Sequence, residues 1–238
     1  MAVVLALKVR VVRALASLGY DVRRITPEPS GPTGLPLPLW ETDEAFQALR
    51  REMEGHTVVT DVDSYLSYGL ARHARSLPGA VAEVGVYRGG TAKMFAKVFA
   101  PSGKTVHLFD TFAGMPAVDP TKDFHHAGDF ADVSVDGVRE YLQDCPNVRL
   151  YPGFFPATAG PIEDETFCFV HVDVDIYTSV RDCCRFFYPR LVTGGTIVFD
   201  DYGRGTCPGA KRAVDEFFAG TPEQPVYLPT GQAFVVKC

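Results

Sequence analysis

Five short apolar runs punctuate the chain after Gly79: Val81–Val84, Thr105–Phe109, Val148–Tyr151, Phe167–Val172 and Thr196–Phe199. Each is too unbroken to have a wet face, so each reads as a strand buried on both sides. Segments of helical period separate them, at about Gly90–Phe99, Ser134–Gln143, Ile176–Tyr188 and Gly209–Phe218. Strands linked through helices pair in parallel, and right-handed crossovers then wind a doubly wound α/β sheet. A tail pair, Gln224–Leu228 and Ala233–Lys237 around Pro229-Thr230-Gly231, reads as an antiparallel hairpin closing the sheet edge. The expectation is a mostly parallel, seven-stranded sheet. Two helical patterns, Thr42–Met53 and Val62–Ser76, precede it. If the strand order resembles 3-2-1-4-5, ligands gather at the carboxyl ends of the strands, where the order reverses.

This pattern occupies residues 41–238, the expected main domain, and residues 1–40 form a separate segment. In that segment Ala2–Leu18 is apolar, but Lys8, Arg10 and Arg13 interrupt it at helical spacing. It lacks both a signal-peptide core and the roughly 20 apolar residues of a membrane span. We expect an amphipathic helix that packs on the body or on a second subunit, with membrane-surface attachment as the alternative. Thr26–Pro38 is a Pro/Gly linker behind it. A tethered apolar helix suits a homo-oligomer arm, and free thiols suit a reducing cytoplasm. The formal charge is −6 with no run of like charge, which argues against nucleic acid, since phosphate neutralisation needs clustered Lys and Arg. Six cysteines (145, 168, 183, 184, 207 and 238) contain no C-x-x-C pair, so they read as free thiols rather than zinc ligands.

Two of the strands end in acids. Phe167–Val172 runs into Asp173-Val174-Asp175, and Thr196–Phe199 into Asp200-Asp201-Tyr202. Adjacent carboxylates repel unless positive charge sits between them. Asp173 and Asp175 project to the same side in extended chain, and Asp200 and Asp201 follow at the next strand end. Ligands that are all carboxylate select Mg²⁺, with Mn²⁺ or Ca²⁺ as alternatives, over zinc. Asp175 precedes Ile176-Tyr177-Thr178 and is equally placed to cap a helix there.

The turn after the first strand is Glu83-Val84-Gly85-Val86-Tyr87-Arg88-Gly89-Gly90-Thr91. Its glycines permit close backbone approach, and the helix that follows attracts an anion. The spacing is not that of a dinucleotide fingerprint, and Glu83 would repel a pyrophosphate. A ligand with an amine and a carboxylate fits better, which points to S-adenosylmethionine. Asp110, at the end of the second strand, is placed to accept hydrogen bonds from ribose hydroxyls. The segment from Asp110 to Val133 is a loop out of proportion to its neighbours and reads as an active-site lid. It carries His125 and His126, natural proton acceptors near neutral pH.

Taken in order, Glu83–Gly90, Phe109-Asp110-Thr111-Phe112-x-Gly114-x-Pro116, His171-Val172-Asp173-x-Asp175-x-Tyr177, Gly194-Gly195 and Asp200-Asp201-Tyr202 closely resemble one family. It is the macrocin O-methyltransferase family, metal- and S-adenosylmethionine-dependent enzymes that methylate sugar hydroxyls in macrolide and related antibiotics. The resemblance runs from about His56 to the C-terminus and implies a class I methyltransferase fold over residues 41–238. It further implies that Glu83, Gly85, Tyr87, Gly90 and Thr91 hold the methionine part of the cofactor. Asp110 and Thr111 would hold the ribose, and Ser134, Gly153 and Phe154 would border the adenine. Asp173, Asp200 and Asp201 would bind Mg²⁺. His125, preferred to His126, would be the general base, with Asp175 as the other candidate. Gly128-Asp129-Phe130 and the N-terminal 40 residues depart from the family pattern, so they are expected to be the substrate-facing parts.

The expected reaction is O-methylation of a small hydroxylated acceptor, a glycosylated natural product. An alcohol with a pKa of about 15–16 stands roughly 8–9 units from an imidazole, a gap of about 11–12 kcal/mol. Histidine alone cannot close that gap, and a metal that acidifies the hydroxyl can. A vicinal diol would chelate the ion and orient the nucleophile. Two alternatives are a catechol-type O-methyltransferase and a nicotinamide-dependent oxidoreductase. Metal-dependent catechol methyltransferases carry a lysine three residues after the first metal aspartate, where this chain has Ile176. The glycine spacing and Glu83 speak against the second.

Overall fold

A computed structural model describes residues 37–238. The helix expected over 2–18, and the linker except for Leu37 and Pro38, lie outside the described residues. From Leu39 onward the chain forms one compact unit.

Three helices lead: α1 (Leu39–Thr42), α2 (Glu44–Met53) and α3 (Asp61–Ala74). Asp43 caps α2 by accepting from the Phe46 amide, and Thr60 caps α3 by accepting from Asp63. Then come β1 (Ala80–Val84), α4 (Gly90–Phe99), β2 (Val106–Asp110), α5 (Val135–Tyr141), β3 (Val148–Pro152) and β4 (Phe167–Val172). The chain continues through α6 (Tyr177–Phe187), β5 (Leu191–Phe199), α7 (Pro208–Phe218), β6 (Val226–Tyr227) and β7 (Ala233–Val236).

The seven strands lie in the order β3-β2-β1-β4-β5-β7-β6, with β7 antiparallel to both β5 and β6. All other pairings are parallel. Residue alternation along the strands feeds two cores. Ala80, Ala82 and Val84 pack with Val180, Phe187, Val214 and Phe218 on one face. Val81, Leu108 and Phe169 pack with Phe46, Phe95 and Phe99 on the other. The expected strands appear within a residue or two, except that β5 begins at Leu191 rather than Thr196. Val192-Thr193-Gly194-Gly195 looks like a turn in sequence. Gly194 takes φ +80° and bonds Lys237, and the β4–β5 register shifts there, so the strand absorbs an irregularity instead of ending.

β1 and β4 are neighbours although β2 and β3 intervene in sequence, so the order reverses between them. The ends of β1, β2, β4 and β5, with the loop after β2, surround a cavity of about 340 Å³.

Candidate active site

Gly85 sits at the reversal point and is tied to it sterically. Its φ is +89°, and a Cβ there would come within 1.7 Å of the Asp173 carbonyl oxygen. Only glycine lets the turn after β1 lie this close to the end of β4. Gly90 has a different duty: its amide donates to His56 O at 2.9 Å, and a Cβ would meet that oxygen at 2.8 Å. It seats the segment before α3 and is not part of the cavity wall. Tyr87 (φ +49°), Phe130 (φ +63°) and Asp175 (φ +58°) are non-glycine residues in the left-handed region, and all three line the cavity. Strain of this kind persists where surrounding structure enforces it, and it gathers at functional sites.

Asp173, Asp200 and Asp201 each offer a carboxylate oxygen within 4.8 Å of the others. Burial and the charges of Asp200 and Asp201 push Asp173 well above the usual carboxylate range. Burial, Asp175 and Asp200 do the same to Asp201. Asp200 goes the other way: burial acts to raise it, but His171, Gln232 and Arg204 outweigh burial and hold it down. Gln232 Nε2 donates to Asp200 Oδ1 at 2.6 Å, and Asp201 Oδ2 accepts from the Asp175 amide at 2.9 Å. Three converging oxygens with so much uncompensated charge fit a hard divalent cation.

Behind them runs a buried pair that sequence reading missed. Glu83 and His171 are register partners across β1 and β4, and His171 Nδ1 lies 3.1 Å from Glu83 Oε1. His171 Nε2 faces Asp200 Oδ1 at 3.6 Å. Burial works against a protonated His171, yet the two carboxylates overcome it and push the imidazole well above its usual range. Glu83 is fully buried and is itself pushed up by burial, against the pull of His171. Its Oε2 has no hydrogen-bond partner among the described residues. An orphaned acceptor of this kind fits the cationic amine that the sequence assigned to it.

Asp110 is occupied already. Its Oδ2 accepts from the Val86 and Tyr87 amides at 2.7 and 2.9 Å, and Oδ1 accepts from Phe112 at 2.7 Å. The carboxylate thus shapes the glycine turn, with capacity left for a further donor from the cavity, which it also lines. Tyr87, Thr91, Thr111, Gly153 and Phe154 line the cavity too. Ser134 does not: its exposed hydroxyl accepts from Gly137 N at 3.1 Å and caps α5. Glu83 likewise stands behind the wall rather than in it.

The long loop folds over the strand ends. Met115 N donates to Asp129 O and Gly128 N to Met115 O, closing it on itself. Its Asp123 is buried, and Asp123 Oδ1 accepts from the Tyr177 amide at 2.8 Å. Asp123 therefore does what Asp175 was equally placed to do, bonding the first turn of α6. Freed from that duty, Asp175 turns to the cavity. His125 Nε2 stands 3.5 Å from Asp175 Oδ1, and its Nδ1 stands 3.2 Å from Asp129 Oδ2. Burial pushes Asp175 up, and His125 opposes it. His126 is exposed and outside the cavity wall. Ile176, at the position of the catechol-type lysine, is buried.

A reversal-point cavity on this sheet, with the antiparallel β7 inserted beside β5, defines the class I methyltransferase fold. The chain belongs to the macrocin O-methyltransferase (TylF) family, whose model matches residues 55–222. Demethyldecarbamoylnovobiocin O-methyltransferase of Streptomyces niveus is 30% identical over 158 residues, 60% of this chain and 60% of its own. The 8-demethyl-8-(2,3-dimethoxy-alpha-L-rhamnosyl)-tetracenomycin-C 4'-O-methyltransferase of Streptomyces olivaceus is 30% identical over 151 residues, 58% of each chain. The chain thus spans about 60% of the length of the curated relatives it matches. Among solved structures, the O-methyltransferase NovP superposes with a TM-score of 0.68 at 24% identity, over 80% of this chain and 88% of that one. No helix among the described residues is long and apolar enough to cross a membrane.

Proposed function

We propose that this chain is an S-adenosylmethionine- and Mg²⁺-dependent O-methyltransferase. Its acceptor is a sugar hydroxyl with a vicinal partner on a glycosylated natural product. One observation carries the reading: three converging carboxylates and the His125–Asp175 pair face one cavity, which a glycine turn closes from behind. Family membership and the two sugar- and natural-product-directed relatives support it.

S-adenosylmethionine, when bound, supplies the methyl group and leaves as S-adenosylhomocysteine. A divalent cation, when bound, supplies the positive charge that acidifies a hydroxyl. Asp173, Asp200 and Asp201 are the residues that would hold it. Glu83, buried behind the wall, would set the negative charge that favours the ammonium of the donor, while Gly85, Tyr87 and Thr91, which line the cavity, would border its methionine part. Asp110 and Thr111 accept from the ribose, and Gly153 and Phe154 flank the base. His125 Nε2, backed by Asp129, and Asp175 Oδ1 share the task of accepting the hydroxyl proton. Val58 and Phe130 are exposed apolar residues that line the cavity, suited to the aglycone.

The test is a mass-spectrometric assay with a rhamnosyl glycoside bearing free vicinal hydroxyls, S-adenosylmethionine and Mg²⁺. A gain of one methyl that chelator abolishes is expected. Undiminished transfer in chelator would sink the metal role, and transfer to catechols alone would sink the sugar assignment.

A further inference from the structure

Beside the oxygen-only trio the cavity holds a softer donor set. His125 Nε2 stands 3.5 Å from Asp175 Oδ1 and 3.5 Å from Cys207 Sγ, and Cys207 Sγ stands 3.4 Å from Asp175 Oδ1. A tetrahedral zinc ion, with bonds of about 2.0–2.1 Å to nitrogen and oxygen and about 2.3 Å to sulfur, spaces its ligands by about 3.3–3.6 Å. All three distances already fall in that range. The residues come from three separate places, the loop after β2, the exit of β4 and the turn before α7, so no sequence spacing announces them. Behind the imidazole, Asp129 Oδ2 lies 3.2 Å from His125 Nδ1. That carboxylate–histidine support accompanies imidazoles that ligate metals.

We propose that His125, Asp175 and Cys207 form a zinc site that adjoins the Mg²⁺ site, with Cys207 Sγ 3.7 Å from Asp201 Oδ1, and that opens its fourth position to the cavity. Mixed nitrogen, oxygen and sulfur donors select zinc, whereas Asp173, Asp200 and Asp201 select a hard cation, so the two ions sort by chemistry. As zinc binds, the Cys207 thiol releases its proton to solvent and the thiolate sulfur bonds the ion. The bound ion takes His125 Nε2 and Asp175 Oδ1, the atoms assigned above to the hydroxyl proton. Zinc therefore inhibits where magnesium supports. That consequence alone rests on the proposed function; the site itself does not.

Co²⁺ serves as the spectroscopic probe. One equivalent is added to the full chain in saturating Mg²⁺. The expected result is a thiolate-to-cobalt charge-transfer band with the intense visible bands of four-coordinate cobalt, all displaced by Zn²⁺. Cys207→Ser loses the charge-transfer band and Cys238→Ser keeps it. His125→Ala, a change on a surface loop, weakens cobalt binding at least tenfold with an unchanged circular dichroism spectrum. No thiolate band in the wild-type protein, or a band that survives Cys207→Ser, overturns the site. A cobalt band in a protein with no methyl transfer keeps the site and overturns the proposed function. Transfer undisturbed by zinc in a protein with the band overturns the inhibition.

Discussion

At the scale of single residues, most of the site depends on contacts that tolerate no addition. Gly85 is the sharpest case. A methyl group at 1.7 Å from a backbone oxygen forces β1 and β4 apart, so Gly85→Ala should cost more than ~4 kcal/mol in urea unfolding, the range reserved for severe core faults. Asp200 makes the opposite kind of prediction. Mg²⁺ at a hundredfold excess over its Kd should raise stability by about 2.7 kcal/mol, read as a rise in Tm. Asp200→Asn should abolish that rise, because the trio loses the carboxylate that His171 and Gln232 keep ionised. His107 supplies a pH prediction. Burial, then Arg149, lowers it to about 4, so between about 4 and 6.5 the unfolded chain binds a proton that the folded chain refuses. Stability then falls as pH drops through that window, by ~3 kcal/mol in all. His107→Phe should flatten that part of the stability–pH curve. By residue type and position the sequence singled out Asp173, Asp200 and Asp201, and it left His125 and His126 as alternatives, of which only His125 lines the cavity. It could not identify Cys207 or His171, whose meaning comes only from what folding brings beside them.

At the scale of elements, the four central strands and their helices were legible because burial on both faces leaves runs with no polar break. The start of β5 was not, because glycines that usually end a strand here form an irregularity inside one. The long loop stood out by its size, but the residue anchoring it was invisible. Asp123 joins that loop to the start of α6 through the Tyr177 amide. Asp123→Ala should cost about 1 kcal/mol in urea unfolding, the usual loss of a helix cap. It should also speed amide hydrogen exchange across 111–133 more than in the sheet. Equal acceleration everywhere would mean that the loop is anchored elsewhere.

At the scale of the whole molecule, the far end of the chain reaches back to the centre. Gln232, just before β7, donates to Asp200 Oδ1 at 2.6 Å and to Ser67 Oγ of α3 at 3.1 Å. Arg204 Nη2 reaches Asp63 Oδ2 at 2.5 Å, tying the turn after β5 to the same helix. Asp200 is thus braced by elements from both ends of the described chain. Gln232→Ala should weaken Mg²⁺ binding roughly tenfold by calorimetry, in line with lost supporting hydrogen bonds. The sequence by itself determined the sheet, its parallel sense and the acids at its strand ends. These follow from local periodicity and from which side chains an apolar strand can carry. Which oxygens converge, which histidine faces them and which cysteine joins it were decided only by the tertiary structure. Those facts are distances between residues far apart in the chain, and distance across a fold leaves no mark on local pattern.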